Sequence, residues 1–512
     1  MSDRALGAVQ ATDMPLVMGT DADFEALRRW LTEIGFTEPA ICERTGIASI
    51  HGFQMRRDGR TKGIGLDDAL DVGIRLLLDS DVVPEPVVQR FIAAETLAVL
   101  VRLGVLRVEA DGVAATVLLY PTEGMWCVSD QTEPPPGRPA LSADVVYPAV
   151  TSNTKTFLEF LPRSPCDRLL EVCGGTGIAA MVGAHFAREV WTADVAERSA
   201  RFAEFNGRLN GLANYTSVAG DMYAPVGEML FDRIVAHPPY VPAEENSVIF
   251  RDGGQDGEQL VRRAIVEGVP RLAPGGLLYV TCVASDRKGA RLEQRVREWL
   301  GPAGHDIDIL LVARFDADPI EYRMRSLLKG KRPLTSLEFL ARQVESLHIE
   351  RSVYAHLYLR RRTDGAPGTT TRRRAGPNTG PAEIAWALAM DEAIHRPQAL
   401  ATVLEGRVRV NPRSALLVRY GLVDEGWVPA EVTQSTEWPF VSAVRGPFWL
   451  GDLLARCDGS TPLGATIAEF RTSGLMGAEA TDEELGRLLL MLAQSGSLAI
   501  EGLPALPPAP VT

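Results

Sequence analysis

Between residues 150 and about 362, short apolar runs rich in Val, Ile, Leu and Ala alternate with longer stretches whose apolar positions recur every three to four residues. That alternation is the signature of strands joined by crossover helices in a parallel sheet. The pattern predicts strands at 168–173, 189–193, 215–219, 232–236 and 276–282. Two more, at 306–314 and 353–360, flank a long, largely helical excursion at 319–347 and are expected to close the sheet as an antiparallel pair.

The flanking regions follow other patterns. Residues 84–103 carry apolar side chains at helical spacing, and two apolar runs hinged on Asp111-Gly112 follow them. Helix then hairpin predicts a winged-helix-like module over 1–131. Thr132-Glu-Pro-Pro-Pro-Gly-Arg-Pro139 is too short of backbone donors for a helix interior or a central strand, so 132–149 reads as a proline-rich joint. Residues 363–380 have no apolar periodicity and are rich in Gly, Thr, Pro and Arg, which predicts a flexible linker with Arg372 to Arg374 as a solvated charge run. From 381 to 512, strand-like pieces at 408–410, 415–419 and 427–432 precede helices at 450–457, 462–470 and 482–495. The last of these is opened by Thr481 with Glu484 three residues on. With 496–500 as a short wing, a second winged-helix-like module is expected, its Trp438, Phe440, Phe448 and Trp449 serving as core.

Length and composition constrain these readings. A chain of 512 residues exceeds one ordinary core. Its 46% hydrophobic and 23% charged residues are those of a globular protein. No run of eighteen apolar residues occurs, and the first residues lack a basic stretch followed by an apolar one, so a cytoplasmic location is expected. Six cysteines lie scattered without C-x-x-C spacing or a Cys/His cluster, which predicts buried thiols and no metal site. A net charge of −13 repels polyanions, so a small molecule, peptide or protein is favoured as partner over nucleic acid.

The candidate chemistry lies in the middle region. Glu171-Val-Cys-Gly-Gly-Thr-Gly177 follows the first predicted strand, and its glycines allow a sharp turn and close backbone approach to a ligand. A dinucleotide is one occupant of such a turn. Acidic residues at the ends of three successive strands favour S-adenosylmethionine: Glu171 for its amino acid tail, Asp194 for the ribose hydroxyls, and Asp221, with Met222 beside it, for the adenine amine. Cys173, Gly174, Gly175, Thr176 and Gly177 form the turn itself. The fourth strand runs into His237-Pro-Pro-Tyr240. Two prolines restrict the backbone there, His237 and the Pro238 carbonyl can accept from an incoming nucleophile, and Tyr240 offers an aromatic face.

With Phe250-Arg-Asp-Gly-Gly-Gln-Asp-Gly257 and the Pro-Gly-Gly turn at 274–276, this motif order resembles the class I S-adenosylmethionine-dependent methyltransferases, in particular the small-domain group that includes the release-factor glutamine methyltransferases. The resemblance covers about residues 150–300. It implies an α/β fold: a Rossmann-like seven-stranded methyltransferase domain over 150–362, flanked by the two α+β winged-helix-like modules. It also implies S-adenosyl-L-methionine as cofactor and His237, Pro238 and Tyr240 at the acceptor site. Members of the group usually have Asn-Pro-Pro-Tyr. His237 in place of the amide leaves methylation of a nitrogen or an oxygen on a small-molecule, peptide or protein acceptor as the expectation, with a homodimer as a possible assembly. Two alternatives remain: nucleic-acid methylation, with Arg262, Arg263, Arg287, Lys288, Arg291, Arg295 and Arg297 as a basic rim, and a non-catalytic, cofactor-binding regulatory role. His348 and His356 are read as isolated surface or core residues.

Overall fold

The computed structural model describes residues 14–52, 64–131, 144–243, 251–321, 324, 335–424, 426–472 and 481–509. Residues 132–143 of the expected proline-rich joint, Phe250, and 325–334 of the expected excursion lie outside them. Its main feature is an eleven-stranded mixed sheet. We number these strands in chain order: β1 Cys166–Val172, β2 Ala187–Asp194, β3 Tyr215–Ala219, β4 Phe231–Ala236, β5 Leu272–Arg287, β6 Ile307–Ala317, β7 Ile349–Arg361, β8 Thr370–Ala375, β9 Ala415–Val423, β10 Gly426–Thr436 and β11 Phe440–Pro447. The spatial order is β3-β2-β1-β4-β5-β7-β6-β8-β11-β10-β9.

The first seven follow the predicted segments closely. β1 to β5 run parallel, and β7 lies antiparallel between β5 and β6. The turn at Pro274-Gly275-Gly276 loops out of the ladder, which passes from the pair Phe231–Leu272 to Arg233–Leu277. β1 and β4 are central and buried on both faces, so they are runs of Leu, Ile and Val rather than alternating sequences.

The sheet does not stop at seven strands. Residues 363–380, read as a flexible linker, contain β8, which pairs in parallel with β6 and antiparallel with β11. The solvated charge run is also corrected. Successive side chains of β8 point to opposite faces. Arg372 forks onto Asp286 at 2.8 and 2.6 Å and reaches Glu293, while Arg373 meets Asp391 of the helix Pro381–Ile394 at 2.5 Å. Thr371 and Gln494 also donate to Asp391. Ion pairs replace the apolar contacts that pattern reading looks for, so the strand was invisible to it.

The N-terminal region differs in detail from expectation. The single helix at 84–103 is two, Glu85–Phe91 and Ala94–Arg102, separated by extended Ile92 and Ala93. The hairpin Leu106–Glu109/Gly112–Ala115 turns at Ala110-Asp111, one residue before the predicted hinge, and a second hairpin, Leu118–Thr122/Met125–Ser129, follows it. This second hairpin attaches the region to the sheet domain. Asn206, fully buried on the helix Glu197–Leu209, accepts from Val128 N at 2.7 Å and donates to the carbonyls of Val128 and Thr176 at 3.0 Å each. One turn on, Asn210 does the same for both backbone groups of Trp126. Two amides thus give an edge strand the partners a neighbouring strand would provide. Arg198 and Asp130, both buried, add a two-pronged ion pair at 2.8 and 2.5 Å.

The C-terminal region divides between two sheets. β9 to β11 extend the main sheet, while Arg407–Val410 lies at the centre of a small antiparallel sheet between Asp458–Pro462 and Leu498–Ile500. The helix Asp482–Gln494 begins as predicted, with Thr481 and Glu484 exchanging cap hydrogen bonds. Trp438 and Phe440 are buried, and Phe448 and Trp449 are partly buried against a separate C-terminal core that includes Leu450 and Leu453. Among the described residues no helix is long and apolar enough to cross a membrane.

Two outcomes test these attachments. Asp391→Ala strands the guanidinium of Arg373 in a nearly closed site and is expected to cost about 3–5 kcal/mol in urea unfolding; a flexible linker would make the change silent. Asn206→Ala leaves three backbone groups unsatisfied and is expected to cost about 3 kcal/mol, with amide exchange accelerated at Val128.

Candidate active site

The ladder pairs Val172 of β1 with Ala236 of β4. The residues that follow, Cys173 and His237, therefore leave the sheet side by side, and the glycine turn and His-Pro-Pro-Tyr segment share one edge. The turn needs its glycines in different ways. A side chain at Gly174 would meet the Thr192 hydroxyl at 2.1 Å, and one at Gly177, where φ is +74°, would meet the Tyr215 hydroxyl at 2.0 Å. At Gly175, φ +55°, a Cβ would face open space. That open side is where the turn can approach a ligand. Cys173, at φ +58°, also occupies a left-handed conformation that favours glycine, and its sulfur lies 4.0 Å from that of Met222. Burial pushes its thiol pKa well up.

The three strand-end acids have different surroundings. Glu171 is buried and accepts from Ala179 N at 3.2 Å, Ala180 N at 2.9 Å and the Thr192 hydroxyl at 3.3 Å. It holds the first turn of the helix Ile178–Gly183 against the glycine loop, and burial raises its pKa to about 7. Asp194 closes β2 and accepts from Gly175 N and Ala196 N at 2.9 Å each; burial raises its pKa also. Asp221 is gripped at 3.0 and 2.9 Å by the guanidinium of Arg263, which also meets Glu267. Sequence reading assigned these carboxylates to three parts of the ligand: Glu171 to the amino acid tail, Asp194 to the ribose and Asp221 to the adenine. In the structure Glu171 and Asp194 also build the loop, and Asp221 is neutralised by an arginine from a helix forty residues on.

His237 stands between aromatic rings, its centroid 5.2 Å from Phe157 and 5.8 Å from Tyr240. Although part of the ring faces the cleft, desolvation among these neighbours lowers its pKa to about 4. The imidazole is neutral at pH 7. The Tyr240 hydroxyl accepts from Asn153 Nδ2 at 2.9 Å. Behind the segment, the 251–257 loop is tied on by Val241 N to Arg251 O at 3.0 Å and Gly253 N to Val241 O at 2.9 Å.

Asn153 and Phe157 belong to the helix Ser152–Glu159, which sequence reading did not connect with the site. Its C-terminal end is fastened by two buried tyrosines of the sheet: Tyr279 donates to Phe157 O at 3.0 Å, and Tyr358 donates to Phe160 O at 2.8 Å. Tyr279 also stacks on Phe157 with centroids 5.3 Å apart. His356 is a core histidine, as read, lying flat on Phe160 at 4.0 Å with Nδ1 3.0 Å from both Tyr279 Oη and Thr281 Oγ1. The alternation of Tyr279 and Thr281 on β5 with His356 and Tyr358 on β7 was the available signal.

The expected basic rim is largely spent inside the fold. Arg263 is paired as described, Arg287 and Arg295 bind Glu258, and Arg297 donates to Thr369 O and Thr370 Oγ1. Arg262, Lys288 and Arg291 stay exposed.

Residues 147–300 match the family model of the methyltransferase small domain. The release factor glutamine methyltransferase of Thermodesulfovibrio yellowstonii is 30% identical over 127 residues, 22% of this chain and 46% of that protein. The ribosomal protein uL3 glutamine methyltransferase of Bradyrhizobium diazoefficiens is 29% identical over 167 residues, 30% of this chain and 52% of its own. The chain thus spans about half the length of these curated relatives. Among solved structures, a methyltransferase from Pyrococcus furiosus aligns with 18% identity and a TM-score of 0.27, covering 46% of this chain and 90% of that one. Residues 147–300 thus match the methyltransferase small domain and are similar to the glutamine methyltransferases.

Proposed function

We propose that the protein methylates a nitrogen of a protein or peptide acceptor. The observation that carries this reading is the β1–β4 register, which sets the glycine turn and His237-Pro238-Pro239-Tyr240 against each other at one sheet edge. The residues present fit S-adenosylmethionine: the open side of Gly175, with Asp194 beside it, offers a cradle, while Glu171, Cys173, Gly174, Thr176, Gly177 and Met222 shape its walls. The bound cofactor supplies the methyl group as an electrophilic sulfonium. Asp221 enters our assignment only through its pair with Arg263, which leaves its carboxylate less able to receive an adenine amine.

On the acceptor side, neutral His237 has one ring nitrogen able to accept a hydrogen bond from an N–H. That bond, with one to the Pro238 carbonyl, would turn the nitrogen lone pair toward the methyl. Phe157 and Tyr240 keep water from the ring and give a planar acceptor group an aromatic face. The relatives' names, which specify glutamine in a release factor and a ribosomal protein, support nitrogen and a protein acceptor. Internal pairing of Arg263, Arg287 and Arg295 counts against the nucleic-acid alternative. We read the small C-terminal sheet with its helices, and the N-terminal helices with their hairpins, as winged-helix-like modules that shape acceptor access. The homodimer reading has its support in β9, the outer strand of the sheet, where Leu417 and Leu422 are exposed.

Incubating the full chain and methyl-labelled S-adenosylmethionine with cell extract tests the acceptor class. Label is expected in protein, stable to mild base as an N-methyl group is and a methyl ester is not, and absent with Gly175→Val. Label in RNA, or base-labile label, would overturn the reading. Because an unprotonated His237 is required, kcat/KM should show no His237-dependent step near 6.5, only the titration of Glu171 near 7, and should fall with His237 as pH drops through about 4. A drop near 6.5 that His237→Asn abolishes would contradict the desolvated setting.

A further inference from the structure

A second cavity, of about 370 Å³, opens where β6, β8 and β11 meet the helix Asp482–Gln494. This volume falls within the roughly 300–1,000 Å³ of small-ligand sites. Its walls are of two kinds. Phe315, Phe440 and Met491 give it an apolar side, and Met491 remains 48% exposed at its edge. The arginines 291, 372, 373 and 374 also line it.

Charge accounting separates these arginines. Arg372 is matched by Asp286 and Glu293, and Arg373 by Asp391. The only lining carboxylate, Asp316, is held by Arg351 at 2.8 Å. Arg291 and Arg374 have no ion-pair partner among the described residues, and the buried Nε of Arg373 has no hydrogen-bond acceptor. Arg374 and Arg291 thus line one cavity without a direct ion pair among the described residues, Arg291 acting only at longer range on Asp286, in a chain of net charge −13. Arginine's planar fork suits a carboxylate or phosphate, which can take two parallel hydrogen bonds from it.

We propose that this cavity binds an organic oxyanion, a carboxylate or phosphate on an apolar body, with Arg291 and Arg374 on the anion and Phe315, Phe440 and Met491 against the body. The site is separate from the methyl-transfer edge, with β5, β7 and β6 lying between β4 and β8. It joins the strand β8 to the C-terminal helix, so its occupancy also bears on how firmly that region is held.

Calorimetric titration of the full chain with phenyl phosphate and with benzoate tests the assignment and distinguishes the two anions. At least one is expected to bind saturably at one site, to weaken at least about tenfold in Arg291→Glu/Arg374→Glu, and to keep its affinity when S-adenosylhomocysteine is saturating. Benzyl alcohol, which has the apolar body and no charge, should not bind. Arg374 carries no ion pair among the described residues, whereas Arg291 lies near Asp286, so Arg374→Ala, expected to weaken binding severalfold, serves if the double variant does not fold. No saturable binding of either anion, unchanged affinity in the variants, or displacement by S-adenosylhomocysteine would overturn the proposal.

Discussion

The site depends on one stretch of backbone ladder. Where β1 and β4 pair through Leu169–Arg233 to Val172–Ala236, both strands are buried on both faces, and a slip of one residue would turn Leu170, Val172, Ile234 and Ala236 to the wrong side. The core therefore sets the register, and the register places Cys173 beside His237. Everything chemical at this edge inherits its position from apolar packing several residues away. The glycine turn then needs only local devices: Glu171 capping the next helix, and Asp194 holding Gly175 N.

A second layer fixes the acceptor side. The helix Ser152–Glu159 brings Phe157 to His237 and Asn153 to Tyr240, and a short helix holds its angle poorly alone because its last carbonyls lack partners. Tyr279 and Tyr358 supply those partners from the sheet. Phenol donors buried beneath two carbonyls are satisfied only in one placement, so the helix is located by hydrogen bonding as well as by packing. The glycine turn has a comparable support in Asn206, whose amide joins Thr176 O to the N-terminal hairpin. The flanking region thereby reaches the cofactor side through one side chain.

What could be read from sequence follows from which forces leave a periodic trace. β1 to β7 were legible because their apolar runs are long and separated by amphipathic helices. β8 was not: Thr370-Thr-Arg-Arg-Arg374 is held by Asp286, Glu293 and Asp391, partners up to 86 positions away that no local pattern connects to it. The glycine turn and His-Pro-Pro-Tyr segment were legible because close backbone approach restricts residue type. The partners of Asp221 and His237 were hidden for the opposite reason. Arg263 and Phe157 are ordinary helix residues until the fold brings them in.

Histidine in place of the group's usual amide changes what the site can offer. An amide presents an oxygen acceptor and two donors at once, and so can hold both ends of a substrate carboxamide. Neutral imidazole has one acceptor and one donor on opposite sides of its ring, and it can engage a single group of the acceptor at a time. The enclosure by Phe157 and Tyr240 sharpens this difference, because it suppresses the cationic form that would have no acceptor at all. Had the ring been left in water, near its ordinary pKa, a substantial fraction would be protonated at neutral pH and unable to receive an N–H. On the proposed reading, the aromatic wall therefore does for His237 what an amide achieves without help: it keeps a hydrogen-bond acceptor available across the neutral range.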